Sequence, residues 1–298
     1  MKRRLSISLA LMLCGAFLAG CSAEEPEVSL GSTLAESSQP AANAEQESEP
    51  AQSIQEEIQP ETSMSADNVS VSEEAPVVYM TTDISPEGLM AIYEALGAQL
   101  PEGNIAVKIS TGETGSNYLR PELIGGLVQA VDGTIVECNT AYGGERANTA
   151  YHMQLAEDHG YTAIADVDIM DADGSMTLPV TGGTHLTENY VGSHFENYDY
   201  FIVLSHFKGH AMAGFGGAIK NISIGMASSD GKAHIHSGGT GGSMWGGDQN
   251  AFLESMAEAG KSVADYMDGN MLYINVMNRL SVDCDCDGNP AEPDMHDI

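Results

Sequence analysis

The chain has 298 residues, with 43 Asp and Glu against 11 Lys and Arg, for a formal net charge of −32 at pH 7. A chain this acidic repels phosphate backbones, which excludes nucleic-acid binding. Its 33 Gly and 6% aromatic content fit neither a coiled coil nor a multi-pass membrane protein.

The charge divides the chain into three blocks. Lys2, Arg3 and Arg4 precede an apolar run from Leu5 to Leu18, so residues 1–20 read as a lipoprotein signal peptide, too short for a spanning helix. Leu18-Ala19-Gly20-Cys21 resembles a bacterial lipobox, with Cys21 as the acylated residue; the alternative is an ordinary signal peptide with a chance Cys. Ser6 interrupts the apolar stretch that would make Arg3-Arg4 a twin-arginine signal. The expected location is therefore the outer face of the cell membrane, with the bilayer as partner through acylated Cys21. Residues 21–76 contain thirteen acids, no Lys or Arg and no aromatic side chain. Such a segment cannot bury enough apolar area to offset chain entropy, so a disordered acidic tether is expected. Residues 77–298 form the folded block.

In chain order, Val77–Thr82 is a β-branched run that reads as a strand. Ser85 then offers an N-cap with Pro86 at the first helical position, opening a helix to about Leu96. Ile105–Ile109 is a strand, Pro121–Val131 a helix, Thr134–Cys138 a strand and Arg146–His159 a helix. Shorter strands are expected near Ala163–Val167 and Met176–Val180, and a clear one at Tyr200–Leu204. Ala251–Met267 reads as a helix and Met271–Val276 as a strand. This alternation predicts an α/β fold, a largely parallel sheet with helices on both faces. Ligands in such sheets sit beyond the carboxyl ends of strands, so the segment after Tyr200–Leu204 is where chemistry is expected. Residues 283–298 read as loop that closes no domain, which suggests a truncated C-terminus.

Residues 205–247 hold 12 of the 33 Gly and 4 of the 9 His, together with Lys208, Lys220 and Lys232. Glycines let backbone approach a ligand, imidazoles ligate metals or move protons, and a rare cation in an acidic protein pairs with a carboxylate or phosphate. The bland alternative is a solvated Gly-rich loop. His210, Lys220 and His236 are expected to converge on one cleft. Gly216 and Gly217 would take positive φ, and the N–H groups opening Ala218–Ile224 would face an anion beside Asn221. Lys208 and Arg120 complete the anion-binding set, and His206, His234 and His236 are candidate metal ligands. Cys284 and Cys286, set among Asp283, Asp285 and Asp287, offer thiolates to a soft or borderline metal, or are free or oxidised surface thiols. The Asp spacing imitates a calcium loop, against which Pro290, Pro293 and the Asp at its twelfth place argue. Cys138 reads as buried, His152 and His159 as structural or exposed, and His185, His194 and the acidic turn 166–173 as solvated.

His206-Phe207-Lys208-Gly209-His210, Gly214-Phe215-Gly216-Gly217-Ala218-Ile219-Lys220-Asn221 and Gly231-Lys232 closely resemble the bacterial and archaeal family known as domain of unknown function 362. Asn117–Pro121, Asn139–Arg146 and Cys284-Asp285-Cys286 look like further motifs of that family, and the resemblance spans about Val77 to Ile298. Many members carry a four-Cys ferredoxin-like insertion after the Gly-Lys segment. Here only the Cys-free stretch Ser237–Gly247 lies there, so an iron–sulfur cluster is not supported. A remoter resemblance, to the nickel-pincer lactate racemases, rests on the spacing of His210, Lys220 and His236 and on Arg120-Pro121. It implies that Lys220 anchors a pincer nucleotide, His236 ligates nickel and His210 is a catalytic acid/base. The racemases' second catalytic His has no equivalent in Asn139–Arg146, and Asn117 replaces an expected Asp. The functional readings left open are a metal-dependent enzyme, a module that binds a metal ion or small anion without turnover, and a truncated remnant. No particular cofactor follows from the residues.

Overall fold

Residue 85 caps the first helix as its sequence demands: the Ser85 hydroxyl accepts the Gly88 N–H at 3.0 Å. Pro86 opens α1 (Pro86–Leu96), and Gly97 closes it at φ 62°. The computed structural model describes residues 76–245, 247–283 and 292–294. The signal, Cys21, the tether up to residue 75, and Cys284 and Cys286 lie outside the described residues. All described elements belong to one unit, Ser70–Ile298, and no helix among the described residues is long and apolar enough to cross a membrane.

The core sheet has five parallel strands: β1 (Ile105–Lys108), β2 (Thr134–Glu137), β3 (Val167–Ile169), β6 (Tyr200–His206) and β9 (Met271–Val276), in the order β3-β2-β1-β6-β9. Successive side chains on a strand alternate between faces. Ile105, Val107, Ile202 and Leu204 accordingly join one core with Leu89 of α1 and Ile124 and Leu127 of α2 (Pro121–Ala130). Ala106, Phe201 and Val203 join the other with Ile222 and Val263, from α4 (Ala218–Ser223) and α6 (Gln249–Met267). Both faces are thus covered, as near-continuous apolar strands require.

Several boundaries differ from the sequence reading. Residues 76–81 form no strand, and Val77, Val78 and Met80 are exposed; β-branched residues favour a strand only where a ladder receives them, and among the described residues β9 pairs only with β6. The helix expected from Arg146 begins later, as α3 (Thr149–Asp158), because the Asn148 side chain accepts the Ala150 N–H at 3.0 Å and caps it there. Tyr161–Ala163 is a 3-10 turn, and the strand expected near Ala163–Val167 starts at Val167. The strand expected at Met176–Val180 is β4 (Ser175–Pro179), which leaves the parallel sheet and pairs antiparallel with β5 (Glu188–Gly192). After β6 the chain folds back through a hairpin, β7 (Lys208–His210) and β8 (Gly214–Gly216), and α4 opens at Ala218, followed by α5 (Ser229–His236), which the sequence reading did not foresee.

Candidate functional site

The chain runs from β1 outward through β2 to β3, then returns to place β6 on the other side of β1. This reversal opens a crevice at the carboxyl ends of β1 and β6, the place where open α/β sheets bind ligands. A cavity of about 780 Å³ lies there. Ser110 after β1, Glu137 and Cys138 at the end of β2, and Ser205 and His206 at the end of β6 contribute to its walls.

At its base β1 ends in Lys108, a fully buried amine. Its Nζ donates to Ile109 O at 2.6 Å, Asn221 Oδ1 at 2.8 Å and Glu137 Oε2 at 3.0 Å. Three acceptors match the three N–H groups of an ammonium. Burial pulls this amine's pKa down while Glu137 opposes the shift, and the acceptor set fits the charged form. Burial alone would raise the Glu137 pKa, but Lys108 and Arg146 hold its carboxyl at about 2. Arg146 Nη1 lies 3.4 Å from Glu137 Oε1, and its Nη2 lies 2.6 Å from Glu113 Oε1. Lysine, glutamate, arginine and glutamate therefore alternate through the wall, each compensating the next. Glycine at 225 permits this packing: a Cβ there would stand 2.2 Å from Asn221 O and 2.8 Å from Lys108 Nζ.

The cavity lining also includes Lys208, His210, Gly216, Gly217, Lys220, Asn221, Lys232 and His236. His210, Lys220 and His236, separated by up to 26 residues, thus face one space. The β7–β8 hairpin supplies the chain reversal, with positive φ at Gly214 (75°). Gly217 is extended at φ −162°, so the expected positive φ falls at Gly214 instead. The Ala218 N–H is taken by Asn275 Oδ1 at 3.0 Å, so it does not face an anion as the sequence suggested. Of the eight Lys and Arg in residues 77–298, Arg146, Lys208, Lys220 and Lys232 line the cavity and Lys108 lies at its base.

The two imidazoles are held in opposite tautomers. His210 Nδ1 accepts the Met212 and Ala213 N–H groups at 3.2 and 3.1 Å, so its ring proton sits on Nε2. His236 Nδ1 donates to Lys232 O at 2.7 Å, because a carbonyl only accepts; its lone pair is on Nε2. Burial, with Lys220 and Lys208 nearby, lowers the His210 pKa to about 3. Burial also lowers His236. Both rings are neutral at neutral pH. The resemblance implied that His210 is an acid/base, but in this arrangement it presents a donor.

Other expected residues stand elsewhere. Arg120 is exposed, with its guanidinium carbon 3.8 Å from the Tyr118 ring centroid, and it is not part of the cavity lining, where Arg146 stands instead. His234, two residues from His236 and so on the opposite side of α5, packs 5.1 Å from the Tyr190 ring. His206 lines the cavity and donates from Nε2 to Asn278 O at 2.6 Å. The proposed set of metal ligands is therefore divided. Among the described residues no three His, Cys, Asp or Glu side chains come together as a metal cluster. Cys138 is buried as expected, its thiol pushed up to about 12 by burial. His194 sits 2.8 Å from Asp168 and 2.9 Å from Asp173, so the acidic turn is partnered rather than merely solvated.

Lys108, Glu137 and Arg146 were missed as site residues, although a lone Lys and a lone Glu ending apolar parallel strands demand a buried partner.

The family model for "Domain of unknown function (DUF362)" matches residues 105–298. The chain belongs to the DUF362 family. Among solved structures, the DUF362 chain is similar to the lactate racemase apoprotein from Thermoanaerobacterium thermosaccharolyticum, with 16% identity and a TM-score of 0.40 over 61% of this chain and 47% of that one. It is also similar to a Thermotoga maritima protein, with 13% identity and a TM-score of 0.40 over 66% and 51% of the two chains. The DUF362 chain spans about half the length of these two structures. No curated protein matches it.

Proposed function

We propose that this protein is a lipid-anchored extracytoplasmic enzyme whose cavity binds a small anionic substrate and moves a proton on it. One observation carries the reading: a chain with net charge −32 gathers Arg146, Lys208, Lys220 and Lys232 around one cavity at the switch point of its sheet. Glu113, Glu137 and Glu145 also line the cavity and Arg146 is paired with the first two, so it is Lys208, Lys220 and Lys232 that tilt the lining towards an anionic ligand. A neutral donor at His210 and an imidazole lone pair at His236 supply a path for proton transfer. The membrane anchor rests on the lipobox-like residues 18–21 alone.

Binding without turnover is the second reading. It is favoured by the state of Glu137, which Lys108 and Arg146 already neutralise and which is therefore a poor general base.

Calorimetric titration of the full chain with inorganic phosphate and with acetate tests the anion site. Lys232 is buried, and its Nζ donates to Ala227 O at 2.5 Å. Lys232→Met should weaken binding by roughly 10-fold or more, the scale of one charge-assisted hydrogen bond. Equal affinities of the two proteins, or no binding of either anion, would refute the reading. For the anchor, a palmitate analogue should label the wild type and not Cys21→Ser.

A further inference from the structure

His210 and His236 turn different ring edges to the cavity. Neither Nε2 has a hydrogen-bond partner among the described residues. Neither is sealed from solvent: among the described residues the buried unsatisfied side-chain atoms are Asn189 Oδ1, Ser193 Oγ and Ser255 Oγ. Both rings line the cavity, with their Nδ1 atoms committed to backbone. The Nε2 atoms are therefore the edges they offer to a ligand. His210 caps its own hairpin turn, and its ring cannot exchange tautomers without abandoning two backbone N–H groups. His236 cannot exchange without setting a lone pair against the Lys232 carbonyl at 2.7 Å. Each swap leaves a polar group unsatisfied or repelled in a half-buried place.

We propose that the cavity selects an oxyanion that retains an O–H group, as phosphate does, over a fully deprotonated one such as sulfate: His210 Nε2–H and the surrounding cations donate to its bare oxygens, and His236 Nε2 accepts its hydroxyl proton. Hydrogenphosphate and sulfate have the same charge and nearly the same size, so the four cations do not distinguish them. The difference is one hydrogen bond. Against phosphate, His236 accepts the P–OH; against sulfate, its lone pair faces an oxygen lone pair. A site built around a ligand's hydroxyl rejects the analogue lacking it because a polar group is left unpaired or opposed. Free phosphate and the phosphate of a small monoester present the same phosphoryl oxygens to the donors. A monoester, with its second pKa near 6, has mostly lost its O–H at pH 8, whereas inorganic phosphate keeps one.

This inference rests on the anion site proposed above, and the experiment separates the two. Isothermal titration of the full chain at pH 8 and fixed ionic strength would use inorganic phosphate, sodium sulfate and glycerol 3-phosphate. Phosphate should bind at least ~10-fold tighter than sulfate, the worth of about one hydrogen bond. Glycerol 3-phosphate should follow sulfate at pH 8 if the O–H alone is read; binding as tight as phosphate would identify a monoester as the occupant, with selectivity residing in its ester end, and would overturn the O–H rule. His236→Phe, which preserves the ring stacked 4.7 Å from Phe252, should bring phosphate and sulfate to equal affinity, while His210→Gln, which retains a donor, should keep the preference. Equal affinity for phosphate and sulfate in the wild type overturns the selectivity but leaves the anion site standing; no binding of any anion overturns both. Nitrogen-15 spectra of the wild-type imidazoles provide a check independent of binding and of mutant folding: His210 as the Nε2–H form and His236 as the Nδ1–H form are required, and the opposite tautomer for either overturns the proposal.

Discussion

Lys108 and Glu137 show how far two side chains can be read in isolation. Each ends an apolar strand, and parallel register sets Lys108 opposite Val136, so the next residue of β2 comes within reach of its amine. Removing one member of a buried pair leaves the other charge uncompensated. Glu137→Gln is therefore expected to destabilise the domain by about 3 kcal/mol, read as a lowered urea midpoint, with Lys108→Met in the same chain restoring part of the loss. A single variant as stable as the wild type would mean that the pair does not hold the cavity wall together. His210 and His236 add a second lesson at this scale. The sequence marks both as proton-transfer groups, but only the backbone partner of each Nδ1 decides which gives and which accepts.

Among elements, those with strong local signals were legible. Ser85-Pro86 set the start of α1, and the apolar runs at Ile105, Thr134, Tyr200 and Met271 set the four longest strands of the parallel sheet. What was illegible depended on partners. Val77–Thr82 has strand composition without a strand to pair with. The second strand of the β4–β5 hairpin, Glu188–Gly192, has too little apolar alternation to announce itself. The octapeptide of α5 contains a Gly and two His, poor helix formers. Its start is nevertheless fixed by Ser228, whose hydroxyl accepts the Gly231 N–H at 3.2 Å, a cap that sequence inspection could have found. Its helical turn is what sends His236 into the cavity and His234 toward Tyr190. Without the helix, the two residues look like equivalent ligands.

Across the whole molecule, acid should act through histidine before carboxylate. Burial lowers His152 and His210 to about 3 each, against about 6.5 in the unfolded chain. Between those values the unfolded state binds more protons than the native one, so stability falls as pH drops below about 6.5. Glu137 is held at about 2; its contribution is complete above its unfolded pKa of about 4.3 and is lost as pH falls from there toward 2. Urea midpoints measured from pH 8 to pH 4 should decline below about pH 6.5 through His152 and His210, with the lowered His236 and His159 adding to the loss and His194, raised by its hydrogen bonds to Asp168 and Asp173, opposing it. A flat profile down to pH 5 would show that the two rings are protonated in the native state. At this scale the composition, the strand–helix alternation and the clustering of Gly, His and Lys in residues 205–247 already pointed to an α/β domain with cavity-lining residues after β6, because apolar periodicity and turn residues are local properties. The tertiary structure alone decided that Arg146 rather than Arg120 joins the cavity, that Lys108 and Glu137 underlie it, and that His210 donates where His236 accepts. Those outcomes depend on which distant backbone atoms a side chain meets, and the order of strands β2, β1 and β6 fixes that, not the residues beside it in sequence.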